Sequence, residues 1–276
     1  MRVDALLERL VRALGPDGTE AEMLLAHASG RSRAWLRAHD DAVLPQETAT
    51  RALALAARRA TGEPFAYIVG SAGFYRRDFA VDARVLVPRP ETEHLIDDAL
   101  RHLRGNAVPR IADLGTGSGA IAVTLAAELP QALVDAVDIS AEALALAREN
   151  AARHGVSERV AFHLGDLLAP LRTRRYDAIL ANLPYVPTGE IARAPDPVSF
   201  EPRLALDGGP DGLDLYRRLL VEAPAALAPG GALYLEAAPP LMAGLRALVE
   251  AAFPAASIAL ERDYGGRERY VRVVPR

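Results

Sequence analysis

Ile111-Ala-Asp-Leu-Gly-Thr-Gly-Ser-Gly119 is the stretch that decides the fold. An apolar run, Arg110 to Leu114, leads directly into glycines at every second position, and Ala120 to Leu129 follows with helical character. Strand, tight turn and helix in that order form the opening of a βαβ unit. The glycines let the backbone turn sharply and let a ligand approach it closely, at the positive end of the helix that follows. Asp138, 19 residues beyond Gly119 and at the end of the next apolar run, is placed to accept hydrogen bonds from both hydroxyls of a ribose. Gly115, Thr116, Gly117, Ser118 and Gly119 with Asp138 therefore predict a site for an adenosine-containing ligand. Gly115, Gly117 and Ala120 also satisfy the dinucleotide fingerprint, so the loop alone does not separate S-adenosylmethionine from a nicotinamide dinucleotide. Asp113 favours the former. A carboxylate just ahead of the loop suits the cationic amino group of a methionine and would repel a pyrophosphate.

Working outward, the apolar runs Leu133 to Val137, Val160 to Leu164, Tyr176 to Ala181 and Ala232 to Glu236 alternate with helical stretches at Ala141 to His154 and Leu213 to Leu227. That alternation predicts a parallel sheet covered on both faces. Ser257 to Leu260 and Arg269 to Val274, around Gly265-Gly266, add two strands, the last pair antiparallel. The expected fold class is α/β: a doubly wound, mostly parallel, seven-stranded Rossmann-like domain over residues 89–276. Upstream, Leu6, Leu7, Leu10, Val11 and Leu14 recur at helical spacing, Ser32 can cap a short helix bearing Trp35, and Pro45 opens a longer Ala/Leu-rich one. Residues 1–61 are expected to form a small helical bundle. Pro64, Gly70 and Gly73 then punctuate a stretch with Phe74, Phe79, Val81, Val85 and Val87, which predicts a hairpin-like connector over 62–88.

The chain has 276 residues, 50% of them hydrophobic, so it can bury a sizeable core. No apolar run approaches the roughly 18 residues of a membrane helix, and the first residues carry Asp4 and Glu8 where a signal peptide would be apolar. A cytoplasmic protein with no membrane partner is expected. The absence of cysteine excludes disulfides, thiolate metal sites and cysteine nucleophiles, and His27, His94, His102, His154 and His163 lack metal-ligand spacing, so no metal is expected. A net charge of -4 argues against binding dominated by nucleic-acid phosphates. All 32 cationic residues are arginine, which carries no functional message.

The fourth parallel run ends in Asn182-Leu183-Pro184-Tyr185, at the sheet edge where ligands of doubly wound folds gather. An amide nitrogen is a poor nucleophile because its lone pair is delocalised. The Asn182 side-chain oxygen and the Leu183 carbonyl can accept its two hydrogens and steer the pair towards a sulfonium methyl, with no strong base required. Pro184 fixes the backbone, and Tyr185 offers a flat face to a planar amide or base. Gly165-Asp166-Leu167 follows the third run. Asp166 there is either an acceptor for an adenine amine or a turn cap, with Leu167 as a packing surface for the ring.

These motifs resemble the release-factor glutamine methyltransferases, the PrmC/HemK family. The resemblance runs from Gly62 to the C-terminus through Gly62-Glu-Pro-Phe-Ala-Tyr-Ile-Val-Gly70, Val85-Leu-Val-Pro-Arg-Pro-Glu-Thr-Glu93, the 113–119 loop, Glu201-Pro-Arg-Leu-Ala-Leu206 and Gly208-Gly-Pro-Asp-Gly-Leu213. It implies an N-terminal helical domain that helps dock a peptide chain release factor. It also implies a catalytic domain that methylates the glutamine of that factor's Gly-Gly-Gln motif with S-adenosylmethionine, leaving S-adenosylhomocysteine. Asn182 to Tyr185 would bind the glutamine; Gly115 to Gly119, Asp138, Leu167 and Asn182 would bind the cofactor. Leu183 departs from the family's usual Asn-Pro-Pro-Tyr, and Asn-Leu-Pro-Tyr is similar to ribosomal-RNA adenine dimethyltransferases, so an adenine-N6 methyltransferase acting on rRNA or DNA is the alternative. Two further features carry open readings. Residues 187–212 form either a substrate-covering loop or an exposed insertion, and Arg89, Glu91 and Glu93 either line the cofactor mouth or cap a helix.

Overall fold

Apolar residues three and four apart build the helices of the first seventy residues. In helix α1 (Val3–Leu14), Val3, Leu6 and Leu10 are buried on one face, where they meet Leu24 and Leu25 of α2 (Thr19–Ser29). Ser32 accepts a hydrogen bond from the Trp35 amide at 3.1 Å and so starts α3 (Arg33–Ala38). The longer α4 (Gln46–Ala60) buries Ala49, Ala52 and Ala56, small residues that let α1 and α2 approach closely. A fifth helix, α5 (Phe65–Val69), buries Ile68 in the same core, with Phe65 and Val69 packed beside it. This computed structural model describes residues 1–193, 195–263 and 265–276.

The chain divides into two compact units, Met1–Gly70 with Ala192–Phe200, and Ser71–Ile191 with Glu201–Arg276. The expected break after residue 61 falls short of the first boundary, because the apolar face of α5 belongs to the helical core. Only part of the expected 62–88 connector is a hairpin: β1 (Ser71–Phe74) pairs antiparallel with β2 (Arg77–Ala80). Tyr75 and Arg76 between them both have positive φ, the backbone that suits the right-handed twist of a tight hairpin.

The second unit continues with α6 (Thr92–Leu103), β3 (Arg110–Leu114), α7 (Ala120–Glu128), β4 (Leu133–Asp138), α8 (Ala141–Arg153), β5 (Val160–Leu164), β6 (Tyr176–Ala181), α9 (Asp214–Ala226), β7 (Leu227–Glu236), α10 (Met242–Ala252), β8 (Ser257–Arg262) and β9 (Glu268–Val274). Its seven strands lie in the order β5-β4-β3-β6-β7-β9-β8. The first five in that order are parallel, and β9 is antiparallel to both β7 and β8, as the sequence predicts. Side chains alternate between two cores. Ala178, Leu180, Ala232 and Tyr234 face the side of α6, α7 and the hairpin, while Ile179, Ala181, Leu233 and Leu235 face α9 and α10. From β3 the chain winds outward to β4 and β5 and then returns to place β6 on the other side, so the carboxyl ends of β3, β4 and β6 open on one crevice. No described helix is long and apolar enough to cross a membrane.

Candidate active site

That crevice holds a cleft of about 460 Å³, within the range of small-molecule sites. Gly115, Thr116, Gly117 and Ser118 line it from the β3–α7 turn, Asp138 from the end of β4, Asp166 and Leu167 from beyond β5, and Asn182, Leu183 and Pro184 from beyond β6. Asp113, Gly119 and Tyr185 stand behind the wall.

The loop has a stereochemical reason for its glycines. Gly115 has φ 72°, and a Cβ added there would lie 3.2 Å from the Leu183 Cδ2. Gly119 faces away from the cleft: a Cβ at that position would lie 3.1 Å from the Ala147 Cβ on α8, so its part is to let two helices pack. Asp138 holds the loop while lining the cleft. Its Oδ2 accepts from the Gly117 amide and its Oδ1 from the Ser140 amide, each at 2.9 Å. Burial raises its pKa, and those two amides oppose the rise.

Asp113 lies beneath the loop. It is completely buried, and its Oδ2 accepts from the Thr116 hydroxyl at 2.6 Å and the Ala122 amide at 3.1 Å. Through Oδ2 it ties the turn to the start of α7, while its Oδ1 has no partner among the described atoms. Burial pushes this carboxyl up to about 7 against the pull of both hydrogen bonds. Tyr185 follows at the end of the turn. Half-buried, it packs against the core on the α9–α10 side, where burial, and then the nearby Glu236 carboxyl, push its hydroxyl up to about 12. Asp166 lies on the wall but is ion-paired to Arg218, which limits its freedom as an acceptor for an adenine amine. Leu167 stands at φ 49°, a left-handed backbone that costs a branched residue about 1 kcal/mol or more and clusters at functional sites.

The Asn182–Tyr185 turn is held from behind. The Asn182 Nδ2 donates to the Thr92 Oγ1 at 3.2 Å. The hydroxyl of the fully buried Tyr216 donates to the Glu236 carbonyl and lies 3.4 Å from the Leu183 carbonyl oxygen. Gly208 closes the back: a Cβ there would lie 2.7 Å from the Pro184 oxygen. Of the polar residues around the start of α6, Arg89 pairs with the buried Glu201 at 2.7 Å, Glu91 lies 3.3 Å from Arg269, and Glu93 accepts from the Tyr75 amide at 2.8 Å. Arg89 alone of these three lines the cleft. The 187–212 stretch contains short 3₁₀ turns at Thr188–Glu190, Pro197–Phe200 and Arg203–Ala205, and Pro202, Leu204, Ala205 and Asp207 from its second part line the cleft.

Sequence reasoning passed over Thr92, Ile139 and Glu236. Ile139, 56% exposed on the cleft wall, was detectable as an apolar residue directly after a strand-end carboxylate. Thr92 lay within a motif already quoted, and its part shows only once α6 is set against β6. Among the described residues, no group of three or more His, Asp or Glu could hold a metal ion.

Over residues 5–70 the chain matches the model of the PrmC N-terminal domain, and over 95–194 that of the methyltransferase small domain. It is 43% identical to the release factor glutamine methyltransferase of Moorella thermoacetica across 98% of this chain and 97% of that one. The chain belongs to the release factor glutamine methyltransferases. The relative of that name from Bordetella pertussis is 45% identical over 96% of this chain and 97% of its own length. Among solved structures, a methyltransferase from Pyrococcus furiosus aligns with TM-score 0.54 at 20% identity, covering 72% of this chain and 89% of that one. A ribosomal protein L11 methylase from Lactobacillus delbrueckii gives 0.50 at 20% identity, with 70% and 82% covered. Both share the fold of this chain over those portions. This family member is a methyltransferase whose candidate site lies at the carboxyl edge of that sheet.

Proposed function

We propose that this enzyme transfers a methyl group from S-adenosylmethionine to the side-chain amide nitrogen of the glutamine in the Gly-Gly-Gln motif of a peptide chain release factor. The observation that carries the proposal is the Asn182–Pro184 turn on the wall of the same cleft as Gly115–Ser118 and Asp138.

The residues present fit an adenosine-bearing cofactor. Asp138 offers carboxylate oxygens for ribose hydroxyls, and Ile139 and Leu167 offer apolar surface for the base. The exposed Gly115 leaves backbone bare where the methionine end would approach. When bound, the cofactor supplies an electrophilic methyl on a sulfonium. The chain supplies placement and acceptors. With its nitrogen committed to Thr92, Asn182 keeps its oxygen for one N–H of the substrate amide, and the Leu183 carbonyl can take the other. Held at both hydrogens, the nitrogen pyramidalises and its lone pair localises, which is the costly part of alkylating an amide. The amide proton becomes acidic as the new bond forms and passes to solvent, so no strong base is needed.

The helical unit, Met1–Gly70 with Ala192–Phe200, is read as the part that grips the body of the release factor. On that reading a short Gly-Gly-Gln peptide is methylated with a much higher KM than the intact factor. The main test incubates the enzyme with labelled cofactor and a purified release factor or ribosomal RNA. Mass spectrometry should locate one added methyl on the Gly-Gly-Gln glutamine. Label in nucleic acid alone would overturn the proposal.

A further inference from the structure

Three polar side chains stand in line at the rim of the sheet. Asn182 donates through Nδ2 to the Thr92 hydroxyl oxygen at 3.2 Å, and Thr92, only 3% exposed in the first turn of α6, stands beside the carboxyl of Glu236 at the end of β7, where its hydroxyl draws that carboxyl's pKa down against the effect of burial. Glu236 is 2% exposed, does not line the cleft, and has no partner for its Oε2 among the described atoms. Burying a carboxyl with an orphaned oxygen is costly, and nothing in the methyl transfer as described above uses it.

Deepening the proposal that an amide is the methyl acceptor, we propose that Glu236 is a positioning residue: by taking the single hydrogen of the Thr92 hydroxyl it obliges Thr92 to accept from Asn182, and so presents the oxygen, not the nitrogen, of Asn182 to the methyl acceptor. The chemistry is one of hydrogen-bond polarity. The two ends of an asparagine amide have nearly the same shape, so packing alone scarcely distinguishes them. Turned the wrong way, Asn182 would set an N–H against the N–H of the substrate. A threonine hydroxyl has one hydrogen to donate, and an ionised carboxylate behind it can only accept, so that hydrogen goes to the carboxylate. Burial pushes Glu236 up to about 7, so the arrangement holds above that pH; below it the neutral acid can donate to Thr92 instead and free Thr92 to donate to the Asn182 oxygen. Tyr216, donating to the Glu236 backbone carbonyl beside the Leu183 oxygen, holds the end of β7 and the catalytic turn in register.

The test compares Thr92→Val, Thr92→Ser, Glu236→Met and the Thr92→Val/Glu236→Met double variant as full-length enzymes. It measures kcat and KM on a release factor, calorimetric affinity for S-adenosylhomocysteine, and thermal melting. Thr92→Val and Glu236→Met should each lower kcat by roughly tenfold, the worth of one misdirected hydrogen bond, with cofactor affinity unchanged. Thr92→Ser should recover most of the loss. The double variant should be no slower than the slower single variant, because the residues act as one chain. Glu236→Met should melt no lower than wild type, since an apolar side chain of similar size replaces an unpaired buried acid; slower chemistry without lost stability is not what a merely structural role gives. Unaltered kcat in Glu236→Met, losses that multiply in the double variant, or cofactor affinity falling in step with rate would each overturn the assignment. If wild type were to methylate adenine in RNA instead, the glutamine proposal would fall, and the same comparison of variants on that amine would still decide the role of Glu236.

Discussion

Gly208→Ala tests whether the catalytic turn needs the close approach seen behind it. Gly208 does not occupy the left-handed region, so alanine meets no backbone penalty and only space is at issue. The added methyl would lie 2.7 Å from the Pro184 oxygen, 2.7 Å from the Tyr185 Cα and 2.9 Å from the Gly212 Cα. Non-bonded carbon atoms settle at about 3.5 Å or more, so one side must give by roughly 0.8 Å. All three neighbours are backbone and none can swing aside. Gly208 donates to the Val186 oxygen at 2.9 Å and Val186 to the Leu206 oxygen at 2.8 Å, so the push passes into Pro184 and Tyr185. A displacement near 1 Å at a site that orients its substrate costs about 100-fold in rate. Steady-state methylation of a release factor should show that loss in kcat, while calorimetry finds cofactor affinity within a few-fold of wild type. Gly189→Ala, with nothing within 4 Å of the added methyl, serves as the control and should be unaffected. A Gly208→Ala enzyme within threefold of the control's kcat would refute the reasoning.

Asp138→Ala should weaken cofactor binding by roughly 1–3 kcal/mol, the worth of a charge-assisted contact, and unchanged affinity by calorimetry would count against that role. Asp113 is ordinarily near 3.8 and is pushed up to about 7 in the fold, so between those values the unfolded chain is ionised while the folded one still holds its proton. Its contribution therefore makes stability fall as pH rises from about 4 to about 7 and level off above, by at most roughly 4 kcal/mol at about 1.4 kcal/mol per pH unit. Asp113→Asn should flatten that slope in urea titrations across the same range. Leu183→Ala keeps the backbone carbonyl and removes a side chain that is 3% exposed. Urea unfolding should show a loss of about 2–4 kcal/mol, with kcat of the folded enzyme within a few-fold of wild type; a hundredfold drop would mean that the side chain itself shapes the acceptor site.

The sheet was legible because its strands are buried on both faces and read as near-continuous apolar runs, from Arg110–Leu114 to Tyr176–Ala181. The cleft was legible as far as backbone chemistry reaches. Glycines at 115 and 117, a carboxylate at 138 and the 182–184 turn each announce themselves by residue type at a strand end. What the sequence does not carry is side-chain direction. Asp113 and Gly119 sit within the motif, yet one turns into the core to hold α7 and the other turns towards Ala147, and spacing along the chain does not distinguish these from ligand contacts. Glu236 was invisible for a different reason: its relation to Asn182 runs through Thr92 on a helix 90 residues away in sequence from Asn182, and only the packing of α6 across β6 and β7 brings the three together. The 61/62 boundary failed because Gly62 and Pro64 read as punctuation, whereas Ile68 beyond them completes the helical core.

The helical unit includes Ala192–Phe200, and the close fit of Gly62 to Pro195, whose carbonyl oxygen would lie 2.1 Å from an added Cβ, shows how tightly that late segment is seated. Synthesis on the ribosome runs from the N-terminus, and domains ordinarily mature in that order. Here the five helices emerge first but wait for a piece made only after β3, β4, β5 and β6. The amino-terminal module would thus mature late in translation, and a nascent chain stalled before residue 192 should present those helices with an open seam, more susceptible to protease than in the finished enzyme.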